Sequence, residues 1–106
     1  MITVTTERLP GKEVTEVLGI VRGSTVRARN VGRDIFAGLK NFIGGEISEY
    51  TKLQGQSRDE AMQRMIEEAE ALNADAILNV RFSTSTITQG ASEILAYGTA
   101  VKVGDS

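Results

Sequence analysis

Asn30–Glu46, NVGRDIFAGLKNFIGGE, carries the helical spacing around which the rest of the chain is organised. Ile35, Phe36, Leu39, Phe42 and Ile43 recur at offsets of three and four, which lines them along one face of a short amphipathic helix. Asn30 suits the N-cap, because its side-chain oxygen can accept from a first-turn N–H. Asp34 places negative charge near the positive end of the dipole, and Gly44-Gly45 offers a left-handed exit.

Upstream of this stretch the chain reads as strand. Ile2 to Thr5 alternates briefly and ends before Pro10-Gly11, as an edge strand would. Lys12 to Arg29 is rich in β-branched residues and carries a bend signal at Gly23-Ser24, which predicts two strands or one long bent strand. The neighbours Val17-Leu18 and Ile20-Val21 break strict alternation, which calls for burial on both faces or a bulge near Gly19.

Downstream, a second helical pattern runs from Glu46 to Asn73 through Tyr50, Leu53, Ala61, Met65, Ala69 and Leu72. Unbroken, it would extend about 42 Å at 1.5 Å per residue, against a radius of gyration near 13 Å for a compact domain of this size. Such a helix either breaks near Gly55 or packs its first half on a neighbouring subunit. The last third predicts a hairpin. Ala76, Leu78, Val80 and Phe82 alternate with polar residues, a turn falls around Gln89-Gly90, and the return strand divides into two unequal faces. Leu95, Tyr97, Thr99, Val101 and Val103 form the larger one. Ile94, Ala96, Gly98 and Ala100 form a small-residue face that a helix can approach closely. The expected order is β, β, α, α, β, β: an α+β fold with a largely antiparallel sheet and two helices on one side, in a single domain over residues 1–106.

Composition narrows the chemistry. The chain has neither cysteine nor histidine, so it lacks thiolate ligands, the commonest general base and the commonest transition-metal ligand. Its 41% apolar and 25% charged residues are those of an ordinary folded domain, with no stretch long enough to suggest a membrane span and no signal-peptide pattern, so a cytoplasmic protein is expected. The net charge of −2 is unevenly spread. Arg22 to Lys40 holds five basic residues against Asp34 alone, and Glu46 to Asp75 holds eight acidic against three basic. Two such surfaces are solvated faces or meet, within a subunit or between subunits. Nucleic acid is not an expected partner, because the basic residues lack interleaved aromatics and the chain is acidic overall.

The segments NVGRDIFAGLKNFIGGE, EYTKL, RDEAMQRM, ALNADAILNVRF and AYGTAVKV, in that order, resemble the YbjQ-like family of small bacterial and archaeal proteins. The resemblance implies a dodecin-like α+β subunit, a homopentamer and heavy-metal binding. The residues themselves point away from a soft metal, since Met62 and Met65 sit at helical spacing beside Ile66 and Ala69 as core filler would. Asp34, Glu46 and Glu49 remain as oxygen ligands for a hard cation, with Glu46 and Glu49 at i, i+3 spacing. Arg27, Arg29, Asn30, Gly32 and Arg33 gather at a helix entrance where a small anion would find N–H groups and forked guanidinium donors, although no phosphate-loop spacing is present. The alternative there is an Asn cap with Arg33 paired to an acidic residue of the long helix. Two functional classes follow: a non-enzymatic, self-assembling binding or scaffold protein, with cofactor unspecified, and an enzyme using Asp34 with Tyr50 or Tyr97 as acid and base at a subunit interface.

Overall fold

The computed structural model describes residues 1–28, 46–88 and 90–105, with helix side chains described from Gly55 onward. Its elements are β1 (Ile2–Thr3), β2 (Lys12–Ala28), α1 (Glu46–Ala71), β3 (Ala76–Thr88) and β4 (Ala91–Asp105). The helix expected within Asn30–Glu46 lies outside the described residues. These therefore show one helix rather than two. The four strands form one sheet in the order β1-β3-β4-β2, with β1 at one edge and β2 at the other.

The sheet is mixed rather than antiparallel throughout. β1 pairs in parallel with β3, Ile2 opposite Ala76, whereas β3–β4 and β4–β2 are antiparallel. The parallel pair arises because the N-terminal arm runs along β3 before turning. Val4 N–H donates to the Ile77 carbonyl at 3.0 Å, and Asn79 N–H to the Thr6 carbonyl at 3.1 Å.

β2 is one continuous strand of 17 residues. Its pairing with β4 slips between Val14 and Glu16 and again between Val17 and Gly19, so two bulges absorb the broken alternation. Gly19 takes φ +125° beside the second slip, a backbone region that side chains rarely enter. β3 carries a further irregularity between Leu78 and Arg81, with Asn79 at φ +54°. This overturns the simple alternation read from Ala76 to Phe82. Ala76 and Leu78 join one core, and Ile77 and Val80 join the other.

α1 is unbroken through Gly55 and spans 26 residues, about 39 Å at 1.5 Å per residue. It ends where Asn73 enters the left-handed region at φ +60°. Asn73 N–H then reaches the Glu70 carbonyl, and Ala74 N–H the Ala69 carbonyl, which satisfies two of the last carbonyls. Ala61, Met65 and Ala69 face the sheet and are fully buried against Val21, Ile77, Ala96 and Ala100. The small-residue face of β4 is thus the one that admits the helix. Burying a side chain such as Met65 or Ile77 contributes about 1.5–3 kcal/mol. A smaller core on the opposite face joins Ala76, Leu78 and Val101 to Val4, Leu9 and Val103.

Candidate functional site

The seam between β2 and α1 brings the basic and acidic stretches together, and it does so within the subunit. The two elements run antiparallel, so that residues 22 to 27 of the strand descend alongside residues 68 to 57 of the helix. At Gly23 the helix backbone comes so close that a Cβ would lie 2.2 Å from the Ala61 carbonyl oxygen and 2.3 Å from the Met65 nitrogen. Polar contacts flank this approach. The Glu68 carboxylate accepts from Arg22 N–H at 3.3 Å, and the Arg64 guanidinium donates to the Ser24 carbonyl. Both contacts occupy backbone groups of the sheet's outer edge that would otherwise lack a strand partner.

Towards the end of β2 the contacts become denser. Thr25, buried, donates its hydroxyl to the Ser57 carbonyl at 2.9 Å. Arg27 donates Nε–H to Ser57 Oγ at 2.6 Å and Nη2–H to Glu60 at 3.0 Å, so two arms of its fork are held by the helix. The Arg27–Glu60 pair is about half-exposed, and a pair of that kind contributes about 0–1 kcal/mol. Together with the Ser57 contacts it ties the last turn-facing residues of β2 to the helix. Of the candidate anion ligands, Arg27 is described, and it is anchored on α1. Arg29, Asn30, Gly32 and Arg33 lie outside the described residues. Asp34 does too, and the side chains of Glu46, Glu49 and Tyr50 are likewise not described. Tyr97 is exposed on the sheet face away from α1.

Two further polar clusters lie at the opposite end. Asp75 accepts from Val103 N–H at 3.0 Å, and Lys12 donates to Asp105 at 2.9 Å. The hydrogen bond from Lys12, and then its charge, hold the Asp105 carboxyl below the usual carboxylate range. The same hydrogen bond and charge raise Lys12, with Asp75 adding in the same direction.

Reading residue types alone missed Thr25, Ser57, Glu60, Arg64 and Glu68. The available signal was the opposition of basic and acidic stretches, which says that two surfaces attract but not which residues meet. Donor chemistry does not fit a soft heavy metal among the described residues. No three of Asp, Glu, His or Cys converge there, the chain has no thiol or imidazole, and Met65 is fully buried in the core.

These features define a small α+β protein in which a mixed four-stranded sheet carries one long helix across one face. Over residues 1–104 the chain matches the family model described as "Putative heavy-metal-binding", and it belongs to that family, the YbjQ family. It is 63% identical over 98 residues to a UPF0145 protein of Halorubrum lacusprofundi, covering 92% of this chain and 94% of the relative. It is 58% identical over 103 residues to a UPF0145 protein of Archaeoglobus fulgidus, covering 97% and 95%. Among solved structures it resembles a protein of unknown function from Pediococcus pentosaceus with a TM-score of 0.63 and 19% identity, over 98% of this chain and 97% of that one. That likeness concerns the fold alone. No helix among the described residues is long and apolar enough to cross a membrane.

Proposed function

We propose that this protein is a non-enzymatic, homo-oligomeric binding or scaffold protein of the cytoplasm. One observation carries the reading: the secondary-structure elements outreach the core they share. The radius of gyration is 17.6 Å and the longest extent 57 Å, against about 13 Å for a compact domain of this length. A 26-residue helix that does not break at Gly55 fits the expectation that its first half packs on a neighbouring subunit. The dodecin-like arrangement and five-membered ring that the family resemblance suggests belong to this reading.

The ligand is a small anion or a hard, oxygen-ligated cation rather than a thiophilic metal, because oxygen and guanidinium groups are what the chain offers. By residue type, Arg29, Asn30, Gly32 and Arg33 would serve an anion, and Asp34, Glu46 and Glu49 a cation. Absence of both histidine and cysteine removes the commonest catalytic bases and nucleophiles and supports the non-enzymatic side of the proposal. The test is native mass spectrometry of the purified protein, followed by calorimetry with Ca²⁺, Mg²⁺, Mn²⁺, Zn²⁺ and inorganic phosphate. A multimeric mass with saturable heat from an oxygen-preferring ligand is expected. A monomer at micromolar concentration would refute the assembly, and saturable heat from none of the five would refute the ligand class.

A further inference from the structure

Tyr97 on β4 lies opposite Arg22 of β2 on one side and opposite Arg81 of β3 on the other. The three residues share the sheet face turned away from α1, because their neighbours Val21 and Ala96 are buried on the helix side. Ser24, Leu95 and Ser83 form the next row in the same register. Tyr97 and Leu95 therefore make an apolar strip down β4, flanked on each side by an arginine and a serine hydroxyl. Counted along the chain, the basic residues lack interleaved aromatics; the sheet sets an aromatic ring between two of them.

Tyr97, Arg22 and Arg81 are all exposed. Among the described residues neither guanidinium meets a carboxylate, since the ion pairs there are Lys12–Asp105 and Arg27–Glu60. Glu68 takes the backbone N–H of Arg22, not its guanidinium. Arg81 donates through Nη1 to the Thr5 and Val80 carbonyls, both at 2.9 Å, which holds its guanidinium in place without neutralising it. The nearest carboxylate on the three strands of this face is Glu93, opposite Val26 and Ser85. It stands four residues from Tyr97, about 13 Å along the strand at 3.3 Å per residue. With strands about 4.8 Å apart, the two arginine backbones are about 10 Å from each other across the ring. An exposed ring thus sits between two positive charges that the sheet leaves uncompensated.

Those groups ask for a ligand that is planar at one end and anionic at the other. The ring of Tyr97 offers a stacking face to a base, and a guanidinium offers forked donors to a phosphate. Serine hydroxyls beside each arginine add donors for phosphate or sugar oxygens. Arg81 is already held in place, so it loses little freedom on binding, whereas the free guanidinium of Arg22 can close over the base as a second stacking plane. Inorganic phosphate would leave the ring unused. A nucleic-acid strand fits less well, because a single ring receives a single base and the chain as a whole carries −2.

We propose that the Arg22–Tyr97–Arg81 row binds a nucleoside monophosphate, with the base stacked on Tyr97 beneath Arg22 and the phosphate on Arg81. The site is distinct from the entrance at residues 29–33 and does not depend on self-assembly. The chain has two tyrosines and no tryptophan, so in the full-length Tyr50→Phe variant the emission of Tyr97 alone reports on the row. AMP, adenosine, inorganic phosphate and a single-stranded oligoadenylate of about ten residues are titrated into it. Calorimetry with AMP then compares wild type with Tyr97→Leu, Arg22→Gln and Arg81→Gln. The expected result is saturable quenching by AMP with a Kd of about 1 mM or tighter, and binding about tenfold weaker for adenosine and for phosphate. Each of the three substitutions should weaken AMP about tenfold, the loss of one stacked base or one forked contact. No saturable response to AMP by about 10 mM would overturn the proposal. So would an AMP affinity unchanged in both Tyr97→Leu and Arg22→Gln, two side chains without a hydrogen bond to the rest of the described fold. Phosphate binding as tightly as AMP would show the ring to be idle and overturn it as well. Oligoadenylate binding about a hundredfold more tightly than AMP would make the ligand single-stranded nucleic acid instead, since about ten equivalent bases account for only about tenfold.

Discussion

Replacing Gly23 with alanine tests whether the helix is held on the sheet by backbone proximity. The added Cβ would lie 2.2 Å from the Ala61 oxygen, 2.3 Å from the Met65 nitrogen and 2.7 Å from Arg64 Cβ. Two of these three atoms are helix backbone, so no rotamer change relieves the overlap. The helix must retreat by about 1 Å to restore ordinary contact. Retreat loosens Met65 and Ala61 in the core and lengthens the Thr25–Ser57 hydrogen bond at 2.9 Å. Overpacking of this kind costs about 1–3 kcal/mol, and the overlap with backbone places Gly23→Ala near the top of that range. The reduced freedom of the unfolded chain returns somewhat less than 1 kcal/mol. A net loss of about 2 kcal/mol corresponds to a Tm lower by about 10 °C for a domain of this size. Gly55→Ala is the paired control, because its Cβ would meet only the tip of Arg58 at 3.8 Å and alanine is the better helix former. Urea unfolding followed by circular dichroism, at one fixed protein concentration, should give opposite signs: Gly55→Ala stabilised by about 0.5–1 kcal/mol and Gly23→Ala destabilised. If Gly23→Ala unfolds within about 0.5 kcal/mol of wild type, the close approach is not what seats the helix.

Asn79 at φ +54° sits at the irregularity that switches β3 between its two cores. Asn79→Val should lose about 1–2 kcal/mol in urea unfolding while Asn79→Gly stays within about 0.5 kcal/mol of wild type, and equal losses in both would remove backbone conformation as the cause. The Lys12–Asp105 pair predicts a pH response with two limbs. Asp105 is held low, so its contribution is present above the ordinary carboxylate range and is lost as pH falls through the folded-state pKa. Lys12 is held high, so its contribution is present below the ordinary amine range and is lost as pH rises through its folded-state value. Both groups are solvent-exposed and salt-screened, so the readout is the NMR titration of Asp105, which should move back towards its ordinary value in Lys12→Met and in high salt. A titration unaffected by Lys12→Met would show that the contact is not formed in solution.

Much of the sheet was legible from residue spacing, since β-branched clusters and turn residues mark strands whatever they pair with. Adjacent apolar residues at Val17-Leu18 and Ile20-Val21 call for burial on both faces or a bulge near Gly19, and the register slips between Val17 and Gly19. The small face of β4 was read as a place of close approach, and α1 lies on it. Other features left no local trace. β3 appeared to alternate evenly because both of its faces are apolar at the start, so the switch at Asn79 could not be seen without its partners. The parallel β1–β3 pair depends on where a two-residue strand lands, a non-local fact. Helix continuity through Gly55 could not be read from its poor local sequence, since the contacts that hold the helix two residues on, from Thr25 and Arg27 to Ser57, come from β2. The candidate site was legible only as charge. Opposed basic and acidic stretches do meet, but the contacts run through a serine hydroxyl, a threonine hydroxyl and main-chain groups that charge counting does not detect.

The bulges in β2 decide which of its side chains share a face. In an uninterrupted strand Val14 and Ile20 would share one face and Val17 would point to the other, because side chains alternate with period two. Two slips, one on each side of Val17, convert a spacing of three into a single row. Removing the first slip would part Val17 from Val14, and removing the second would part it from Ile20, so either change divides the row. The same slips spoil this half of the outer edge as a template for strand addition. The two slips therefore shape both the edge and the face of this half of β2. Replacing Gly19 at φ +125° with valine should therefore weaken folding by about 1–3 kcal/mol in urea unfolding, and an unchanged midpoint would show that the bulge does not depend on this backbone conformation.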